Sequence, residues 1–422
     1  MLPRMERESD TGRDLVLLGG GHAHVEVLRR LARLPVAGLR VTVVARERMT
    51  PYTGMLPALL RGEVAWRDAH IDLAELAARA GARLVIAEAR SIDLAGKRIA
   101  ARGRPPIGFD LLSLDIGGEP TMPAEGEVPD GVPVRPLGRL LARLDALASS
   151  LPEGARVAIV GAGAGGCELA LALARCFAGR WRLTLIGDGA EPLPEGPARA
   201  RRIVRGALAE AGVELVNAVR VRGVAGRTLL LSDETMLPAD ATLWTTGVRG
   251  AAFLARSGLD CDALGCVRID RSLRSISHPF VYAAGDCAAP VWRRLPKAGV
   301  YAVRAGPVLA DNLRRAAEGR RPLRWRPQRT ALVIVGLGGG QSVAWRGPVV
   351  AAGAWVTRWK AWLDRRWMAR YAPPPARDAA AADGQASPAA QKRGPVSSST
   401  STTRSRNSPS PLPAHPPSRG PA

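Results

Sequence analysis

The chain has 422 residues, of which 46% are hydrophobic and 23% charged, and carries a formal net charge of +22. That length allows two or three domains with real cores, and no apolar run approaches the roughly 20 residues of a membrane-spanning helix. Four of its sixty basic residues are lysines (Lys97, Lys297, Lys360, Lys392) and the rest are arginines scattered among alanines without a nucleic-acid motif, so the charge points to a membrane surface or anionic cofactors and no nucleic-acid partner is expected.

A strand reads at Leu15 to Leu18, broken by Gly19, Gly20 and Gly21, and a helical pattern opens at once over Val25 to Leu34. Glycines between a strand and a helix bring bare N–H groups and a positive helix end to one point, which is a phosphate site. The spacing gives two-thirds of the G-x-G-x-x-G dinucleotide fingerprint. His24 stands where the third glycine belongs, which should loosen helix–strand packing or re-aim the helix.

Leu39 to Ala45 reads as the second parallel strand. The acid that usually ends it and meets a ribose is missing, and Glu47 is the candidate in its place. A loop and a short helix follow over Thr50 to Leu60, then a helix capped near Asp72, a strand at Arg83 to Ala87, and an apolar run at Asp110 to Ile116 stopped by Gly117 and Gly118. From Arg156 the pattern restarts. Val157 to Val160 is a strand, Gly161, Gly163 and Gly166 complete a G-x-G-x-x-G, and a helix runs from Cys167 into the strand Leu183 to Ile186. A repeated phosphate-binding unit is far more specific than either copy, and it implies two dinucleotides in an α/β chain with two Rossmann-like domains. Asp188, just past the second strand, favours NAD(H), while the abundant arginines leave NADP(H) open.

Ala241 to Gly247 reads as a strand closing an inserted domain. Phe280 to Ala288 gives strand, glycine, acid and helix start, with Asp286 either a sugar-binding carboxylate or an ordinary cap. A small-residue helix is expected over Pro296 to Asp311, and a strand and glycine turn between Trp325 and Ser342. Gly353 to Tyr371 is a basic helix carrying Trp355, Trp359, Trp362 and Trp367, either interfacial on a membrane or docked on the protein's own core. From about Ala372 the composition cannot repay its ordering entropy, and disorder is expected. The five cysteines form no C-x-x-C pair, so neither a metal site nor a thioredoxin-type couple is expected. Cys261 and Cys266 come near one another in an apparent hairpin, but ordinary thiols in a reducing compartment are the simpler reading. No secretory pattern precedes the first strand, which makes the cytoplasm the default, with peripheral attachment to the inner face of the membrane through the tryptophan helix.

The succession GGGHAH, TPYTGMLP, DLLSLDIGG, GAGAGGCELA, LWTTG, YAAGDCA and PKAGVYAVR resembles the FAD-dependent pyridine nucleotide oxidoreductases, on the branch with type II NADH dehydrogenases and sulfide:quinone oxidoreductases. GGGHAHVEVL, TPYTGMLP, HIDL and PKAGVYAVRAGP are similar to the flavoproteins fused to or encoded beside selenophosphate synthetase. The resemblance implies an FAD domain in two parts (13–125 and 265–325), an inserted NAD(P)H domain (126–264), a C-terminal region (326–371) and a disordered tail (372–422). It places FAD against Gly19, Gly20, Gly21, His22, Ala23, Glu47, Pro51, Gly285, Asp286 and Ala298, and NAD(P)H against Gly161, Gly163, Gly166, Asp188 and Gly247. Glu168 falls on the acid near the nicotinamide, its plainer reading being a first-turn helix acid, and Lys297 borders the flavin and quinone pocket. The implied activity is hydride transfer from NAD(P)H to FAD, then electron delivery to a quinone or other small acceptor, with a homodimer among the expected assemblies. Reduction of selenium or sulfur compounds, or a flavin sensor that does not turn over, are the alternatives. Sulfide oxidation ranks low, because no cysteine lies in the segments that carry sulfur in those relatives.

Overall fold

The computed structural model describes residues 12–122, 131–134 and 140–373; the tail expected to be disordered lies outside them apart from Ala372 and Pro373. Two five-stranded parallel sheets carry the molecule. The first runs in the order Val281–Ala283, Leu111–Leu114, Arg13–Leu18, Leu39–Ala45, Arg83–Ile86, with Leu15 level with Leu111 on one side and Val41 on the other. Leu15, Leu17, Val43, Leu112 and Leu114 are fully buried. Such strands read as unbroken apolar runs because helices cover both faces of a parallel sheet.

Helix His22–Arg33 buries Val25, Val27, Leu28 and Leu31 against this sheet. Helix Gly299–Ala317 crosses it at Gly306, where a Cβ would come within 2.8 Å of the Glu26 Cβ. Buried Glu26 is satisfied by Arg29 (2.7 Å), Arg30 (2.9 Å) and the Tyr371 hydroxyl, which donates to it at 3.1 Å. The C-terminal end of the described chain is thereby fastened to the first helix.

The second sheet is ordered Gly131–Pro133, Ala241–Trp244, Ala155–Val160, Trp181–Ile186, Glu214–Val216. Helix Ala164–Cys176 lies on it with Cys167, Leu169, Ala170, Leu171, Ala172 and Leu173 buried. The chain leaves the first sheet through Glu119–Pro120 and returns through Val248–Arg249, which pair antiparallel. Gly118 lets them approach, since a Cβ there would meet Val248 Cγ1 at 2.1 Å.

Several elements differ from the sequence reading. The first helix begins at His22 rather than Val25, and the second at Ala164 rather than Cys167. Past Val281–Ala283 there is no helix start but one 3-10 turn, Gly285–Cys287, followed by Ala288–Pro290 paired parallel with Val267–Ile269. Gly285 (φ +70°) reverses the chain there, and Pro290 and Pro296 cannot donate to a helix, so the helix waits until Gly299. The strand expected between Trp325 and Ser342 is Val333–Gly338, in an antiparallel sheet with Gln341–Arg346 and Val349–Gly353. The two small meanders, Ala89–Asp93 with Arg98–Ala101 and Ile107–Gly108, and Val221–Ala225 with Thr228–Leu231 and Met236–Pro238, were not read from the sequence.

Candidate functional site

At the first glycine turn, Gly19 (φ +101°) could not be another residue, since a Cβ would meet the Asp115 carbonyl oxygen at 2.3 Å. At Gly20 it would strike Leu73 and Thr50, whose hydroxyl donates to the Gly20 carbonyl at 2.8 Å. His24 does not loosen the packing as expected. Its ring is fully buried and bridges the turn to the sheet, with Nδ1 2.7 Å from the Gly19 carbonyl and Nε2 2.8 Å from Ser113 Oγ. Burial holds this imidazole neutral, its pKa pushed down to about 4. In the second unit the equivalent position admits only hydrogen: a Cβ on Gly166 would lie 1.8 Å from the Gly161 carbonyl oxygen.

The second glycine turn fits an anion. Gly163 is the N-cap of helix Ala164–Cys176, no side chain caps it, and a Cβ on Gly163 or Gly165 would meet nothing within 4 Å. Open space at an uncapped helix N-terminus is where a dinucleotide pyrophosphate sits. Gly161 (φ +112°) is backed by Thr245, whose hydroxyl donates to the Val160 and Gly161 carbonyls at 2.9 and 2.8 Å. Asp188, 60% exposed past the adjacent strand, pairs with Arg220 at 3.4 Å. Gly247 lies in the crossing between the units, its carbonyl accepting from Thr121 N at 2.7 Å.

Around the first turn, half-buried Glu47 follows the carboxyl end of strand Leu39–Ala45. Pro51 closes a short strand paired with His70–Asp72. Asp286 and Gly285 form the turn facing Asp115, and Ala298 caps helix Gly299–Ala317. Lys297 lies just before that helix. Its ammonium donates to the Asp286 and Ala288 carbonyls at 2.8 and 2.9 Å and stands 3.1 Å from Cys266 Sγ. Those contacts make Lys297 a brace of the Gly285–Cys287 turn. A cavity beside it is lined by Asp286, Leu295, Tyr301 and Trp325.

Glu168 lies beyond the first turn of its helix, so it is not a dipole acid. Its Oε1 accepts from Gly336 N at 2.9 Å, and desolvation raises its pKa against the opposing pull of Lys360 and Arg61. Lys360 donates to Asp364 at 2.8 Å and also to the Gly54 carbonyl. Arg61 pairs with Glu63 at 2.7 Å, while its Nη1 is buried without a hydrogen-bond partner. The second unit, the Thr50–Leu60 segment and the C-terminal helix thus meet in one charged cluster. Sequence reading found Glu168 but missed Arg61, Lys360 and Asp364, which no local pattern relates.

The helix Ala354–Met368 divides its tryptophans. Trp367 is 7% exposed, stacked on Tyr52 at 4.2 Å and tilted against His22 at 5.4 Å. Trp355 and Trp362 remain half exposed. All five cysteines are free thiols, Cys261 and Cys266 included. Among the described residues no helix is long and apolar enough to cross a membrane, and no cluster of three or more metal-ligating side chains occurs.

Two parallel sheets, each with a glycine turn feeding a helix N-terminus, define a flavoprotein oxidoreductase that holds two dinucleotides. The chain belongs to the pyridine nucleotide-disulphide oxidoreductase family, which it matches over residues 13–306. It is an FAD-dependent NAD(P)H oxidoreductase with NADH dehydrogenase-like homologues. It is 26% identical over 289 residues to the demethylphylloquinone reductase of Synechocystis, covering 65% of this chain and 71% of that one. To an NADH dehydrogenase-like protein of Mycobacterium tuberculosis it is 31% identical over 237 residues, 52% of this chain and 58% of the relative's length. The NDH2 structure from Plasmodium falciparum in complex with NADH superposes with a TM-score of 0.70 at 13% identity, covering 84% of this chain and 97% of that one. That likeness speaks for the fold.

Proposed function

We propose that the protein takes a hydride from NAD(P)H held by the second unit to FAD held by the first, and passes the electrons to a quinone or similar small carbonyl acceptor. The observation that carries this reading is the convergence at Glu168, where a helix of the nucleotide unit, the segment after Pro51 and the C-terminal helix share buried charge. Desolvation raises the pKa of the Glu168 carboxyl against the pull of Lys360 and Arg61, and a carboxyl so placed can pass a proton to a reduced acceptor. The buried, unpartnered Nη1 of Arg61 suits an acceptor carbonyl oxygen. Bound FAD would supply the two-electron exchange between nicotinamide and acceptor. Gly19, Gly20, Gly21, His22 and Ala23 would hold its pyrophosphate, Glu47 a ribose, Asp286 and Gly285 the ribityl chain, with Pro51 and Ala298 flanking the ring. Gly161, Gly163, Gly166, Asp188 and Gly247 would hold NAD(P)H.

The Synechocystis relative is a demethylphylloquinone reductase, which supports this acceptor over the selenium or sulfur compounds implied by the sequence resemblance, which rest on those motifs alone. Half-exposed Trp355 and Trp362 among arginines support contact with an anionic membrane surface. The test is stopped-flow absorbance of the purified protein at the flavin band, mixed with NADH or NADPH and then with a short-chain quinone. Bleaching by one nucleotide and reoxidation by the quinone is the expected result. No bleaching by either nucleotide overturns the reading, and one bleaching event that no acceptor reverses makes the protein a sensor.

A further inference from the structure

The pyrophosphate end of the first unit already contains an anion-forming group. Asp115 follows strand Leu111–Leu114, is 3% exposed, and its Oδ2 accepts from Ala23 N at 2.7 Å and His24 N at 3.0 Å. These are first-turn N–H groups of helix His22–Arg33, the donors that draw an anion to a helix end. The carboxyl is wedged between two glycine turns: a Cβ on Gly21 would lie 2.3 Å from its carbon, and one on Gly285 would lie 2.6 Å from Oδ1. The N-caps of both glycine-turn helices, Gly21 and Gly163, carry no capping side chain of their own, and in the first unit Asp115 takes that place.

Among the described residues, the groups facing Asp115 offer it no counter-charge. Asp286, across the Gly285 turn, repels it. The Cys287 thiol is buried and pushed far up, partly by Asp115 itself. The His24 imidazole is neutral, with both ring nitrogens committed to Gly19 and Ser113. Glu26 on the same helix is spent on Arg29, Arg30 and Tyr371, and the Lys297 ammonium is turned to the Asp286 and Ala288 carbonyls. Two anions sharing one helix end in a desolvated pocket cannot both stay charged.

We propose that Asp115 is a proton-linked gate on the first dinucleotide site: FAD binds against the neutral carboxyl, takes up one proton as it enters, and is released when that carboxyl ionises. Burial and Asp286 already raise the Asp115 pKa to about 7 without a ligand, and a nearby pyrophosphate pushes it higher. The sign follows from linkage. The bound form holds the extra proton, so affinity is constant below about pH 7 and weakens about tenfold per pH unit above it. An Asn at this position keeps the acceptor oxygen and removes the charge. The inference rests on the first unit being the FAD site.

The test is the dissociation constant of FAD, measured by flavin fluorescence during reconstitution of the full-length protein between pH 6 and 9. Wild type is expected to weaken roughly 50-fold from pH 7 to 9, and Asp115→Asn to bind tightly with no slope. Should the variant fail to fold, proton uptake by wild type on mixing with FAD at pH 8 in indicator dye gives a second reading, expected at about one proton per flavin. A pH-independent wild-type affinity, an unchanged slope in Asp115→Asn, or no proton uptake overturns the proposal. Failure of every form to bind FAD at any pH overturns the site assignment itself.

Discussion

Replacing Trp367 with Ala tests how the C-terminal helix is held. The ring is 7% exposed, stacked on Tyr52 with centroids 4.2 Å apart at 22°, and tilted against His22 at 5.4 Å and Tyr371 at 4.7 Å. A buried tryptophan removes about 200 Å² from water, worth roughly 5 kcal/mol at ~25 cal/mol per Å², of which the alanine methyl keeps a small part. Measured Trp→Ala costs in cores, about 3–5 kcal/mol, agree. The loss should fall first on the segment that Trp367 anchors, appearing as faster amide exchange over 354–371 before global unfolding. Trp355→Ala is the control: that ring is 51% exposed and stacks on Trp359 at 6.3 Å, so its removal should cost less than about 1 kcal/mol. Urea unfolding of both variants, with exchange mass spectrometry, reads the difference. If Trp367→Ala costs no more than Trp355→Ala, the helix is not docked through this ring and its tryptophans serve an outside surface instead.

Gly166→Ala should abolish NAD(P)H binding while FAD is retained, because the new Cβ would lie 1.8 Å from the Gly161 carbonyl and 2.7 Å from Thr245 Oγ1. Gly206→Ala, inside helix Ala198–Glu210 and with nothing within 4 Å of the new Cβ, should be tolerated and gain about 0.5–1 kcal/mol of helix stability. Equal losses in calorimetric titration of the two would refute the close-approach argument. The touching pair His24 and Asp115 should oppose one another in the pH dependence of stability. The depressed His24 pKa means stability is lost as pH falls from 6.5 to about 4, roughly 3 kcal/mol in all. The raised Asp115 pKa means stability is lost as pH climbs from 3.8 to about 7. Melting temperatures over pH 4–7 should therefore rise with pH in Asp115→Asn, fall in His24→Gln and change little in wild type. The same slope in both variants would sink the assignment.

What the sequence by itself determined is the repeated strand–glycine–helix unit, the identity of its strands and hence the two-dinucleotide class. These are local properties: Leu15 to Leu18 and Val157 to Val160 are apolar because both faces are covered, and Gly19 and Gly161 are fixed by positive φ and backbone contact. The second strand, Leu39 to Ala45, was read to the residue for the same reason. Only the tertiary structure decided what surrounds the turns. His24 looked like a defect because its partners, Gly19 and Ser113, lie five and 89 positions away. Asp115 looked like the end of an apolar run, although an acid closing LLSLD before two glycines was the one local hint. The tryptophan helix carried equal signals for membrane and core, and Trp367 was settled by Tyr52, 315 positions earlier in the chain. Periodicity reports which face of an element is buried; it does not report which element buries it. The charged cluster of Glu168, Arg61 and Lys360 depends on that second fact alone.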